Sequence, residues 1–300
     1  MNRPAMAPAL PFTVAMLGIA IFAGMDVLMK QLSIAMGVYN AMLWRTGIAL
    51  VIATVLYLWV RKGWPDWSII RLHIWRGVVI SLMALLFFWG LVHVPLAEAI
   101  GLSFIAPLIA LYLAAVLLHE KIGDKAIWAS VIGLAGAVVI ISAKLGGEYS
   151  DSMGKGIVAI LLSALMYAYN LILQRQQALV AEPIEIAFYQ NGTVVAVYLC
   201  FAPWWVVVPE VALLPQLAAA AALGIISLLL LSWAYARAEA KVLIPVEYTA
   251  FIWASLLGWL VFAENVTAAT LAGTALIVVG CLVAARQQPD HVDHIETTAV

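Results

Sequence analysis

Two side chains of opposite charge, Asp26 and Arg45, stand inside long apolar runs of this sequence. A buried ionisable group is costly in a hydrocarbon surround, so each is a functional candidate until it is accounted for. Asp26 lies about six residues before the end of one run and Arg45 about six after the start of the next. At 1.5 Å per residue, each is roughly 9 Å below the same surface. Equal depth on consecutive helices predicts an ion pair. Such a pair is either a self-neutralising structural element or a gate that meets the charged head of a zwitterion. Other carboxylates sit nearer helix ends. Glu98 and Glu247 are placed to reach interfacial water, with a proton-coupling role open. Glu120 and Glu264 occupy one turn repeated in the two halves of the chain, and are expected to cap the helix that follows each.

Catalytic chemistry finds no comparable footing. His73, His93 and His119 each stand isolated near a helix end, no HExxH occurs, and no Ser–His pairing is apparent. An enzyme needs converging acids, bases or a metal. His291, Asp293 and His294 belong to a polar tail, 286–300, expected to be disordered. Cys200 and Cys281 both lie in apolar runs, which excludes a disulfide framework, a CxxC motif and a zinc knuckle. Neither a metal nor a cofactor is expected.

The remaining candidates are aromatic and small residues that recur 144 positions apart. Trp89 falls on Trp233, Phe104 on Tyr248, Pro107 on Phe251 and Ala110 on Ala254. Asp26 falls on Asn170, which keeps polarity and drops charge, and Arg45 falls on Tyr189. Spacings of three and four place the small members, Ala110, Ala114, Ala254 and Gly258, on one face of each helix. Small faces let helices approach closely or leave room for a ligand. Trp89, Ser103, Phe104, Pro107, Tyr167, Asn170, Trp233, Tyr248, Phe251 and Trp253 are therefore the candidate lining of an apolar pocket with a few polar groups. Small-residue faces also run along Ala129, Gly133 and Ala137 and along Ala269, Gly273, Gly280 and Ala284. They predict packing within the chain, and leave a dimer seam open against an expected monomer.

These residues must be positioned by membrane helices. The 300-residue chain is 66% hydrophobic and 10% charged, with mean hydropathy +1.06. Soluble domains are nearer 45–50% and about 25%. The net charge of −1 and the lack of any basic run exclude nucleic acid as a partner. A span needs about 20 mainly apolar residues. Ten such spans are predicted, at roughly 12–32, 39–60, 76–94, 97–118, 126–143, 156–174, 185–208, 216–236, 242–263 and 266–285. Lys and Arg then gather on the side of both termini, among them Arg61, Arg71, Arg76, Lys121, Lys125, Arg175, Arg237 and Arg286. That side is expected to be cytoplasmic. The repeat makes two five-helix units, 1–145 and 146–285. Five is odd, so the second must be inverted, as in secondary transporters whose two repeats exchange conformations around a central cavity.

The segment Ala99-Ile100-Gly101-Leu102-Ser103-Phe104-Ile105-Ala106-Pro107-Leu108, ending in His119-Glu120-Lys121, resembles the drug/metabolite transporter superfamily, EamA type. Its second-half counterpart runs through Phe262-Ala263-Glu264-Asn265 and Ala272-Gly273 to Gly280. The resemblance covers about Phe12 to Ala285. It departs at Phe251, where the family usually repeats the proline of Pro107. Within the superfamily the chain looks most like bacterial aromatic amino-acid exporters of YddG type. The resemblance implies export by alternating access across a bacterial inner membrane.

Substrate class follows by exclusion. Sugar phosphates and nucleotides need several cations in the core, and only Arg45 is read as buried there. Cationic drugs need an unpaired deep carboxylate with aromatics, a proton-coupled alternative that Glu247 leaves open. A neutral zwitterion with an apolar side chain fits better, with Asn170 and Ser103 or helix ends for its polar head. A channel is disfavoured, because no ring of like charge is present.

Overall fold

A computed structural model describes residues 9–61, 63–106, 109, 113, 124–145, 151–235 and 249–285. The described residues are helical, with no strand among them. In chain order the helices are α1 (Ala9–Met36), α2 (Val38–Val60), α3 (Trp67–His93), α4 (Leu96–Ser103), α5 (Asp124–Leu145), α6 (Asp151–Val180), α7 (Pro183–Leu199), α8 (Leu214–Tyr235), α9 (Thr249–Phe262) and α10 (Ala268–Ala285). Five described stretches are long and apolar enough to cross a membrane: Leu10–Met36, Val38–Val60, Trp67–His93, Asp151–Gln174 and Val211–Ala234. Large apolar side chains stay exposed along them, including Leu17, Val51, Val78, Leu82 and Leu162. A surface of this kind suits lipid, which satisfies no backbone group and so favours closed helices. Tryptophans gather at the two rims, Trp59, Trp64 and Trp67 at one and Trp204 and Trp205 at the other.

Two boundaries depart furthest from the sequence expectation. Helix α3 begins at Trp67, not Arg76, because Ile69, Ile70, Leu72 and Ile74 carry the apolar face two turns further back. Helix α7 stops at Leu199, not 208. A single turn, Ala202–Trp205, follows it, and the chain then extends to Pro209. Pro203 and Pro209 cannot donate into a continuing helix, and the freed backbone is held by α2 instead. Asn40 Oδ1 accepts the Val207 N–H at 2.8 Å, and Trp44 Nε1 donates to the Val207 carbonyl at 2.8 Å.

Helix pairing is regular. The most extensive contacts are α3 along α6, α1 along α8 and α5 along α10, followed by α2 with α7, α3 with α7, and α2 with α8. Adding five to each helix number returns the same set of pairs. Helices α3 and α6 run antiparallel, joined at Arg76–Asn170, Met83–Ser163 and Gly90–Gly156. Each step is seven residues forward on one helix and seven back on the other. Helices α5 and α10 touch backbone to backbone. A Cβ at Gly136 would lie 2.4 Å from the Gly273 carbonyl oxygen, and one at Gly273 would lie 2.5 Å from that of Gly136. The small-residue faces therefore close on each other inside the chain, with Gly133, Ala137 and Gly280 also buried.

Candidate functional site: charges held inside the bundle

Asp26 is only 2% exposed, on α1. Arg45 projects from α2 across α8, where its Nη1 would be 3.2 Å from a Cβ on Gly224. A side chain there would press on the guanidinium, which would have to shift by a few tenths of an ångström. The guanidinium donates to Thr46 Oγ1 at 3.4 Å and rests 3.9 Å from Met25 Sδ. Its Nε and the carboxylate oxygen Asp26 Oδ1 have no hydrogen-bond partner. Among the described residues the ion pairs in contact are Lys30–Glu264, His73–Glu185 and Lys155–Asp151. Asp26 and Arg45 are thus neighbours without the direct bond that equal depth suggests. Leaving a buried polar atom unpaired costs about 1–3 kcal/mol. A ligand that supplies both partners recovers that cost.

The polar groups first offered for a substrate head are already bonded. Asn170 Oδ1 accepts from Arg76 Nε at 2.9 Å, and Ser103 Oγ donates to its own helix at Ala99 O, 2.8 Å away. Trp89 is 37% exposed and lies on the outward stripe of Trp75, Val78 and Leu82, its ring against His93. Its counterpart Trp233 packs with Trp253 against Ala15 and Ile19 of α1. Trp253 Nε1 is buried with no partner. Phe251 fills the α4–α9 crossing, 3.7 Å from where a Gly101 side chain would begin. Phe104 is buried, and Tyr167 packs with Ala106, Ala164 and Ala168. Pro107, Tyr248, Glu120, Glu247 and His119 lie outside the described residues, as does the tail from Arg286. A groove of about 500 Å³ opens between α3 and α6, lined by Trp75, Val78, Leu82, Leu165, Met166 and Tyr169. Its walls belong to the exposed apolar surface, so it is a lateral cleft and not a mid-bundle chamber.

Four sequence readings are corrected. Arg45 is not the sole interior cation, since Lys30 and Arg76 are each 4% exposed. His73 is not isolated. It is fully buried, with Gln177 and Glu185 on its two ring nitrogens. Glu264 does not serve the helix that follows it. It bonds Lys30 Nζ and accepts the Leu96 N–H at 2.7 Å, capping α4 in the other half of the chain. Lys30 also donates to the Val94 carbonyl at 3.0 Å. One lysine therefore ties the α3–α4 turn to the α9–α10 turn. Glu98, expected at interfacial water, is buried and takes a hydrogen bond from Thr270 Oγ1 at 3.3 Å. Sequence signals for the interior histidine and arginine existed. His73 and Arg76 sit three apart, with Ile69 and Leu72 four before them, the spacing of one helix face.

A helical, multi-pass membrane protein with Asp26, Lys30, Arg76 and Glu98 buried among its helices is the class that this architecture defines. Residues 10–142 and 154–286 each match the EamA-like transporter family, and the chain belongs to that family. Among its relatives is the pseudopaline exporter CntI of Pseudomonas aeruginosa, 28% identical over 88% of this chain and 92% of that one. An S-adenosylmethionine uptake transporter of Rickettsia felis is 25% identical over 69% of this chain and 68% of its own. A solved crystal structure, 20% identical, covers 92% of this chain and 96% of that one with a TM-score of 0.62, a likeness of fold. The protein is accordingly a small-molecule transporter and not an enzyme.

Proposed function

We propose that this transporter exports small zwitterionic metabolites, with aromatic or other hydrophobic amino acids as the leading class, by alternating access. The observation that carries the reading is the pair Asp26 and Arg45, buried neighbours of opposite charge that each keep an unpartnered atom. An α-ammonium bonded to Asp26 Oδ1 and a carboxylate bonded to Arg45 complete both groups with charge-assisted bonds. Trp233, Phe251 and Trp253, with Phe104 and Tyr167, offer apolar surface for a side chain. The two curated relatives named above are called carriers of small metabolites in their own right, and one of those, S-adenosylmethionine, is an amino-acid derivative. Resemblance to the YddG-type exporters supports the direction.

Two five-helix units, 1–145 and 146–285, lie antiparallel in a bacterial inner membrane, with both termini in the cytoplasm. The exchange of helix pairs under a five-helix step supports this arrangement, as does the antiparallel run of α3 on α6. Ten spans follow from it, and they enclose one shared chamber. The protein acts as a monomer.

The test is uptake into proteoliposomes with a panel of amino acids, a cationic dye and a sugar phosphate. Uptake of hydrophobic amino acids supports the reading. Uptake of the dye alone moves the substrate class to cations. Uptake of the sugar phosphate alone assigns the work to the interior cations Lys30, Arg45 and Arg76.

A further inference from the structure

Helices α3, α6 and α7 enclose a continuous polar chain that plays no part in the substrate site above. It runs Glu185–His73–Gln177–Arg76–Asn170. Chemistry fixes the direction of each bond. A guanidinium only donates, so the Gln177 atom that faces Arg76 is Oε1. The amide nitrogen of Gln177 therefore faces His73, 2.5 Å from Nδ1. Nδ1 is then the bare ring nitrogen, and the single ring proton lies on Nε2, donated to Glu185 Oε1 at 3.1 Å. His73 is fully buried, while the Glu185 side chain keeps 17% of its surface exposed and so reaches water at the end where α3 begins and α7 starts.

We propose that His73 is a proton-binding site that couples transport to a proton gradient, and that Gln177 passes its charge state to Arg76. The proposal rests on the transporter reading, and takes one proton from water as its only added reactant. Binding converts the neutral imidazole to imidazolium, with the new N–H on Nδ1. That N–H needs an acceptor, so the Gln177 amide turns its oxygen to His73. The same rotation points the amide N–H groups at Arg76, donor against donor. Arg76 loses its bond to Gln177 and keeps the one from Nε to Asn170, the residue matched to Asp26 in the other half of the chain. One proton thus frees guanidinium donors in the bundle interior.

The groups that face His73 set the balance. Glu185 from α7 is the anion that favours the imidazolium, and Arg76 on its own helix opposes it. Tyr189 of α7 lies flat on the ring at 4.8 Å, with Tyr57 of α2 6.1 Å beyond it. Arg61, at the end of α2, is drawn over the Trp64 ring. Gln177 from α6 carries no charge.

The experiment uses the full chain in proteoliposomes and exchange of radiolabelled L-phenylalanine, with equal pH on both sides. Between about pH 8 and about pH 5.5 the wild-type rate changes by about tenfold, the range over which a histidine titrates. The His73→Gln profile is flat. His93→Gln keeps the wild-type profile, since the His93 ring bonds only its own helix at Trp89 O, 2.8 Å away. A flat wild-type profile, or a wild-type profile in His73→Gln, overturns the proposal. Absence of any phenylalanine exchange counts against the substrate reading instead, and nitrogen-15 NMR of labelled histidine in the same liposomes then decides. The expected spectrum at about pH 8 contains a ring with bare Nδ1 and protonated Nε2 that is missing from His73→Gln and gains a second proton on acidification. A His73 ring that stays neutral throughout, or carries its proton on Nδ1 at the alkaline end, overturns the proposal.

Discussion

Several of the described interior charges, Lys30, Arg76 and Glu264 among them, are held by partners far away in sequence. Lys30 of α1 reaches the Val94 carbonyl and Glu264, and its ammonium lies 4.9 Å from the centre of the Phe262 ring. Replacing Glu264 by Gln keeps an acceptor for Leu96 but leaves the buried ammonium without its counter-charge. The expected loss is about 3 kcal/mol, read as a lower melting temperature in detergent. Glu264→Leu, which strips the α4 cap as well, falls further. At the proposed substrate site, Asp26→Asn raises the phenylalanine KM by about tenfold or more, the loss of one charge-assisted bond. An unchanged KM would remove Asp26 from recognition. Asp26 and Arg45 were legible in the sequence because lone charges in apolar runs are costly in a hydrocarbon surround and so stand out, whether as a structural pair or a gate. His73 and Arg76 were less so, because starting the third helix at Arg76 left His73 in the connection before it and put Arg76 at the helix's first position, on the cytoplasmic side. Lys30 falls within the first predicted span near its outer end, and nothing in the sequence names its partner; Glu264 in turn caps Leu96, 168 residues away.

Secondary-structure ends carry much of the design. Helix α9 ends on Ala263 in the left-handed region, φ 53°. The Ala263 N–H bonds to the Trp259 carbonyl at 3.1 Å, and the Glu264 N–H to that of Gly258 at 3.1 Å. This places Glu264 beside α4 and Lys30. A Cβ in that conformation costs roughly 1 kcal/mol, so Ala263→Gly is expected to raise stability by about 0.5–1 kcal/mol in chemical denaturation, net of glycine's backbone entropy. Destabilisation by this substitution would mean that the Ala263 methyl is packed. Where α5 crosses α10, Gly136→Leu has no space and costs at least about 3 kcal/mol or prevents folding. Gly47, with nothing within 4 Å of its Cβ position, tolerates Ala without loss and serves as the control. The run of apolar residues located the helices well. It missed the end of α7, since Val206, Val207 and Val208 are as apolar as a span yet follow Pro203 in an extended segment clamped by Asn40 and Trp44.

At the scale of the molecule, the 144-residue recurrence was the strongest signal in the sequence, and the family match repeats it at 10–142 and 154–286. What it could not supply is which side chains meet across the halves. Arg76 bonds Asn170, whereas the matched position to Arg76 in the second half is Ala220, so Asp26 draws its cation from Arg45 of α2. The halves share a plan and differ in their chemistry. The proposed topology puts the exposed thiol Cys200 on the outer face. A membrane-impermeant maleimide is expected to label it in intact spheroplasts of a Cys281→Ala background, and labelling only after lysis would reverse the orientation. The most direct test of the whole account is counterflow of radiolabelled L-phenylalanine in proteoliposomes carrying wild type, Asp26→Asn or Arg45→Gln. The account predicts robust exchange by the wild type and loss by about tenfold or more in each variant at low substrate concentration; equal exchange by all three would contradict it.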